Sequence, residues 1–106
     1  MIHSTIRMAI SPAKMGDAVG VLNSLAERIG ADPGCLGCHV YMDLQEKSVL
    51  MLEQLWKSEE ELTRHLRSRE YQSVLLLMEM AIAQPEVRFE VISHASGFET
   101  IELARG

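Results

Sequence analysis

A histidine on the apolar face of a predicted helix is the residue best suited to chemistry. His65 shares that face with Leu62 and Leu66, at helical spacing. An imidazole in such surroundings can titrate near neutrality and act as a general base. A core histidine that is bonded to a backbone carbonyl, or that only packs between helices, would show the same pattern. We therefore take His65 as the candidate catalytic residue and Leu62 as its neighbour in a substrate pocket, with the packing interpretation left open.

Two residues at the end of a predicted strand could form the wall of that pocket. Trp56 offers a flat aromatic face and one N–H donor. Gln54 lies two residues earlier and shares its face of the strand, whereas Glu53 points to the opposite face. Trp56 could equally be a core residue that closes the corner between strand and helix. Both Trp56 and Gln54 are candidate substrate-binding residues.

The second predicted strand carries further polar residues. His39 and Tyr41 share one of its faces and could line a cavity, although edge or surface positions would explain them as well. Cys35 and Cys38 form a C-x-x-C spacing. In a regular strand these positions face opposite sides, so the thiols are not expected to pair, although a bulge could bring them together. A zinc site would need a second ligand pair, and none is suitably spaced.

Composition restricts the class of function. The formal net charge is −5, which disfavours a nucleic-acid partner, and aromatic residues make up only 5% of the chain, too few for a base-stacking platform. The chain has no clustered ligand set and no glycine-rich phosphate loop. We therefore expect no metal, haem or flavin cofactor.

Hydrophobic periodicity gives the elements that must position these residues. A single α+β domain is expected over residues 1–106, with a ferredoxin-like, split β-α-β-β-α-β order. Strands are predicted at residues 2–10, 35–43, 48–56 and 87–93, helices at 14–29 and 58–82, and a short last strand at 98–104. Ser58 is the predicted N-cap of the second helix, with Glu61 as its capping-box partner, and residues 68–70 are expected to bend or break that helix.

The third predicted strand suggests a dimer. Residues 49–52 are apolar at every position, so both of its faces require burial, but the chain supplies only two helices. Helices on one face and a second copy of the chain on the other would satisfy both. The predicted last strand could then reach across to the partner.

No membrane is expected, since the longest apolar stretch, residues 74–83, is short and contains Glu79. Two cysteines and no visible signal peptide predict a cytoplasmic protein.

Four segments together resemble the antibiotic biosynthesis monooxygenase family, including its quinol-monooxygenase-like members. They are PGCLGC at 33–38, LEQLWKS at 52–58, ELTRHL at 61–66 and PEVRF at 85–89. The resemblance implies a homodimeric α+β barrel with the sheets face to face. It also implies a pocket in each protomer between its own sheet and helices.

The function implied by the resemblance is a cofactor-independent monooxygenase or quinol oxidase acting on a small aromatic molecule, with His65 as the base. Family members often have glutamate where this chain has Gln54, and some of its oxygenases use an asparagine near the tryptophan, whereas the only asparagine here is Asn23. The haem-degrading branch has an axial histidine where Leu75 lies. The alternative is a non-enzymatic dimeric module that binds a small molecule or has a structural role.

Overall fold

The computed structural model describes residues 1–106 and contains one antiparallel sheet of four strands in the order β2-β3-β1-β4. The strands are β1 (Ile2–Ala9), β2 (Cys35–Met42), β3 (Val49–Trp56) and β4 (Glu86–Val91). The helices are α1 (Met15–Gly30), α2 (Glu59–Leu66), α3 (Tyr71–Glu79) and α4 (Phe98–Arg105), with a 3-10 turn at Pro12–Lys14. This order and pairing confirm the predicted ferredoxin-like α+β fold.

The sheet has one covered face and one open face. Every second residue of β1, beginning at Ile2 and ending at Met8, is buried, and the residues between them are partly exposed. Residues directly opposite each other in antiparallel strands share a face, so Leu50 and Leu52 of β3 lie on the same covered side. The core forms between this face and the inward stripe of α1, which includes Leu22 and Leu25. We call this side of the sheet the helix face.

The predicted break in the second helix is confirmed, and it brings two aromatic residues together. Ser58 caps α2 by accepting a hydrogen bond from the Glu61 amide at 3.3 Å, as expected from the capping box. At the break, the Ser68 hydroxyl donates to the His65 carbonyl at 2.6 Å and accepts from the Tyr71 amide at 3.3 Å. Ser68 therefore links the last turn of α2 to the first turn of α3.

The predicted last strand is wrong, because residues 98–105 form the helix α4. Glutamate, leucine, alanine and arginine in this segment all favour a helix. The Gly97 amide donates to the Glu99 side chain at 2.8 Å, so the first turn satisfies a donor locally. Apolar residues at positions 98, 101, 103 and 104 also lack the strict alternation of a strand.

Cys35 and Cys38 face the same side of the sheet, because β2 is not a regular strand. The register between β2 and β3 shifts between Cys35 and Gly37, which leaves Leu36 as the extra residue of a β-bulge. Cys35 then pairs with Trp56, and Cys38 with Gln54, two residues apart on one face of β3. Both cysteines therefore lie on the helix face, as free thiols.

Candidate functional site

Three aromatic rings meet where β3 ends and the two short helices join. The His65 ring stacks on Trp56 with 4.5 Å between centroids and 27° between planes. The edge of Tyr71 approaches His65 at 5.2 Å and 77°. All three side chains are buried, as is Leu62 one turn earlier on α2. Trp56, Leu62 and His65 therefore lie together in the core, and Tyr71 joins them.

Two buried nitrogen atoms in this cluster have no hydrogen-bond partner in the protein. Gln54 accepts a hydrogen bond from the Trp56 indole N–H at 2.9 Å through Oε1, but its Nε2 donates to nothing. His65 Nε2 is likewise unpartnered, although the residue is only 3% exposed. Leaving a buried polar group without a partner costs about 1–3 kcal/mol, and such groups are uncommon in native interiors. Both nitrogens belong to residues that contact Trp56.

A short polar row crosses the helix face beside these rings. Gln54 lies opposite Cys38 on one side and Ser4 on the other, and Ser4 in turn lies opposite Phe89. Ser4 is 2% exposed. It was not among the sequence-derived candidates, although a serine at a core-facing position between Ile2 and Ile6 is the signal that could have found it.

Electrostatics keep the His65 imidazole neutral. Burial lowers the pKa of His65 below its ordinary value; the negative charge of Asp32 opposes this shift, and the positive charge of Arg64 adds to it. Arg64 holds Asp32 through two hydrogen bonds of 2.7 and 3.0 Å and keeps the pKa of that carboxyl low. Near neutral pH the imidazole is therefore uncharged and able to accept a proton.

The interior next to His65 is filled by side chains. The larger cavities lie elsewhere: one of about 580 Å³ on the outer surface of α2, and one of about 430 Å³ beside Arg7 and Arg88. None of the five principal cavities is lined by His65, Trp56 or Gln54. A ligand could contact the unpartnered nitrogens only after neighbouring side chains had moved.

His39 and Tyr41 are not brought together with His65. Both lie on the open face of the sheet, where His39 pairs with Glu53 across the strands and Tyr41 with Met51. The Tyr41 hydroxyl donates to the Glu53 carboxylate at 3.3 Å, and the charge of Glu53 raises the pKa of Tyr41. The sheet separates these two residues from the buried rings, so they cannot line the same pocket.

The side chains do not form a recognisable metal site. No group of three or more histidine, cysteine, aspartate or glutamate residues is arranged to hold an ion. Burial raises the pKa of the Cys35 thiol, and raises that of Cys38 to about 12. Both cysteines are therefore protonated thiols at neutral pH.

No helix has both the length and the apolar character needed to cross a membrane.

A four-stranded antiparallel sheet with helices on one face, and a buried histidine stacked on a tryptophan, define a ferredoxin-like α+β protein with a candidate site between sheet and helices. The sequence profile of the antibiotic biosynthesis monooxygenase family matches residues 1–75. The chain belongs to that family.

Solved structures agree with this fold. A conserved protein from Methanosarcina mazei is 26% identical, with a TM-score of 0.77 over 84% of this chain and 89% of its own. A candidate antibiotic biosynthesis monooxygenase from Deinococcus radiodurans is 17% identical, with a TM-score of 0.84 over 92% and 98%. Rv0793 from Mycobacterium tuberculosis is 16% identical, with a TM-score of 0.80 over 91% and 98%. No curated protein matches the sequence.

Proposed function

We propose that this protein is a cofactor-independent monooxygenase or quinol oxidase that acts on a small aromatic substrate between its sheet and its helices. The observation that carries the proposal is the unpartnered Nε2 of His65, on a buried and neutral imidazole stacked on Trp56. His65 is the general base. Trp56 and Leu62 form the apolar wall, and the free Gln54 Nε2 donates a hydrogen bond to a substrate oxygen.

The chemistry needs only a base, orientation and exclusion of water. His65 removes a proton from a phenolic hydroxyl, and the resulting anion is electron-rich enough to pass an electron to dioxygen. In the oxidase reaction a quinol loses two electrons and two protons, and dioxygen gains them to form hydrogen peroxide. In the monooxygenase reaction one oxygen atom enters the substrate as a carbonyl that replaces two hydrogens, and the other leaves as water.

The working unit of this proposal is a homodimer of the 106-residue domain, joined through the open faces of the sheets. Support comes from Met51 and Leu55, apolar residues of β3 that are only partly covered on that face. One chain has a mass of 11.9 kDa, and sedimentation at micromolar concentration should give twice that value. A stable monomer would contradict this arrangement. Two free thiols favour a reducing, cytoplasmic location.

The enzymatic proposal can be tested before the substrate is identified. A panel of quinols and naphthols is screened by thermal shift, since a ligand that binds the native state raises the melting temperature. Oxygen consumption is then measured with each compound that binds. We expect His65→Ala to lower turnover by a factor of at least about 100, the usual contribution of a general base. His94→Ala, which removes an exposed histidine in the loop after β4, is the matched control and should keep full turnover.

The pH dependence of turnover tests the role of His65 more sharply. A base must be neutral to accept a proton, so turnover should rise with pH through the pKa of His65, which burial places below 6.5. If His65→Ala turns over every bound quinol at the wild-type rate, the catalytic assignment is refuted.

The second candidate is a non-enzymatic dimeric module that binds a small molecule or has a structural role. It is favoured by the filled interior, since none of the principal cavities includes the buried rings. This candidate predicts no oxygen consumption with any quinol that binds. It also predicts that His65→Ala lowers the melting temperature and changes little else.

A further inference from the structure

The helix α2 covers the candidate site but is joined to the rest of the protein by few polar contacts. It contributes two buried side chains to the interior, Leu62 and His65. Outside the helix itself, the backbone of residues 59–66 bonds only to residues 58, 67 and 68. A helix of eight residues is too short to be stable by itself. Contacts with other elements must therefore hold α2 in place.

One ion pair is the polar contact between the side chains of α2 and the remainder of the chain. Arg64 donates to both carboxylate oxygens of Asp32, at 2.7 and 3.0 Å. Asp32 lies in the turn before β2, and its Oδ1 also accepts from the Gly34 amide at 2.8 Å, which fixes the carboxylate. This two-point geometry is the strongest that arginine and a carboxylate form. The other hydrogen bonds and ion pairs of α2 stay within residues 58–68.

The turn that carries Asp32 also makes room for Glu61, which contacts Arg64 from within α2. The Arg64 Nε donates to the Glu61 carboxylate at 3.2 Å. The Glu61 side chain lies directly over Gly34, where a Cβ would come within 2.6 Å of its carboxyl carbon. The Gly34 carbonyl accepts from the Lys57 amide at 3.0 Å, just before α2 begins. The turn at residues 32–34 therefore holds α2 at its start through the backbone and at its middle through Asp32.

The two ends of α2 allow it to move as a unit. Ser58 has an extended backbone, and the break at residues 67–70 separates α2 from α3. Hinged covers open through changes of backbone angle at such terminal residues. The movement would carry Leu62 and His65 away from Trp56 and uncover the unpartnered Nε2 of His65. In the structure the filled interior hides this nitrogen, since none of the principal cavities is lined by His65.

We propose that Asp32 and Arg64 are positioning residues, which hold α2 and its His65 against the sheet, and that a ligand reaches His65 when this pair separates. Arg64 precedes His65 in the chain, so the contact that closes the helix also sets the position of the imidazole. The inference deepens the proposed function and rests on it only in placing the ligand beside His65. A site that binds without catalysis would be closed in the same way.

Chemical modification of His65 measures the opening without any substrate. Diethyl pyrocarbonate acylates neutral imidazole nitrogens, and mass spectrometry of peptides gives the rate at each histidine. At pH 8, Arg64→Gln and Asp32→Asn should each raise the rate at His65 about fivefold, the most that a well-formed surface ion pair contributes to an equilibrium. Asparagine keeps the oxygen that accepts from the Gly34 amide. Arg64→Lys keeps the charge but lacks the planar fork, so it should give an intermediate rate.

A matched control and an internal reference accompany these variants. Arg67→Gln removes an exposed arginine that follows α2 and has no ion pair, so the rate at His65 should equal that of the wild type. The exposed His94 should react equally fast in every protein. If His65 is modified at the wild-type rate in both Arg64→Gln and Asp32→Asn, the proposal is overturned.

Native-state hydrogen exchange in low urea separates opening of α2 from unfolding of the whole chain. Opening of α2 alone exposes little surface, so its rate should change little with urea. The amides of Leu62 and His65 should therefore exchange faster than that of Leu25 in the core of α1, and with a weaker urea dependence. Equal rates and equal urea dependence for the three amides would overturn the proposal. Failure of every quinol to turn over would refute the enzymatic function and would leave these rates as they are.

Discussion

Replacement of His65 by alanine tests what the buried imidazole contributes to stability. The change removes roughly 60 Å³ of side chain, which costs about 1.5 kcal/mol if the cavity does not collapse. Loss of the stacked contact with Trp56 and of the edge contact with Tyr71 adds about 1–3 kcal/mol. Removal of the unpartnered Nε2 stabilises the folded protein by about 1–3 kcal/mol and so offsets part of this loss. The net loss should be about 1.5 kcal/mol, or a fall in melting temperature of about 7 °C for a chain of this length.

His65→Phe separates the ring contacts from the nitrogen. A phenyl ring keeps the contacts with Trp56 and Tyr71 and fills the cavity that alanine leaves, so this variant should be more stable than His65→Ala by about 3.5 kcal/mol. Thermal unfolding followed by circular dichroism at pH 8, where the imidazole is neutral, measures both variants against the wild type. If His65→Phe unfolds as early as His65→Ala, the ring contacts are not what stabilises this position and the reasoning fails.

Three further predictions concern pH, the thiols and a helix cap. The pKa of His65 is lower in the folded chain than in the unfolded chain, so the contribution of the neutral imidazole to stability is complete above about pH 6.5 and is lost as the pH falls toward the folded pKa. Denaturant titrations at pH 8 and pH 5.5 should therefore show a larger fall in the free energy of unfolding for the wild type than for His65→Phe. An equal fall for both proteins would contradict the lowered pKa. Cys35 and Cys38 should react with a thiol reagent at pH 8 only after denaturation, because burial raises both pKa values; fast reaction of the native protein would argue against buried, protonated thiols. Ser58→Ala should lower the free energy of unfolding by about 1 kcal/mol, since its hydroxyl accepts from the Glu61 amide, and an unchanged denaturation midpoint would mean that the cap contributes nothing.

The elements could be predicted from sequence where one periodicity held over a whole segment. β1 and α1 each bury one regular stripe, and the structure confirms both to within one or two residues. The break between α2 and α3 also follows from the sequence, because the apolar stripe is interrupted at residues 68–70. At α4 the strand prediction failed because the apolar residues of this short segment follow no single period, whereas most of its residues favour a helix.

The candidate site could be predicted only in part. Gln54, Trp56, Leu62 and His65 come together because strand and helix spacing place each on an inward face. The ring of Tyr71 on His65 depends on how α3 begins after the break, which local spacing does not determine. The assignment of His39 and Tyr41 to the same pocket required knowing which face of β2 turns toward the helices, and the bulge at Leu36 sets that face.

The same bulge determines where the sheet can gain or lose a residue. Leu36 is an extra residue between Cys35, which faces the core, and Gly37, which pairs with Leu55 of the open face, and its own side chain is half exposed. The length of the chain at this point, rather than the identity of residue 36, keeps Cys35 in the core while Cys38 packs 3.9 Å from where a side chain on Gly30 would begin. Relatives with a regular strand here should be one residue shorter. An alignment without a gap at Leu36 would then place every residue before it one position out of phase with its structural equivalent.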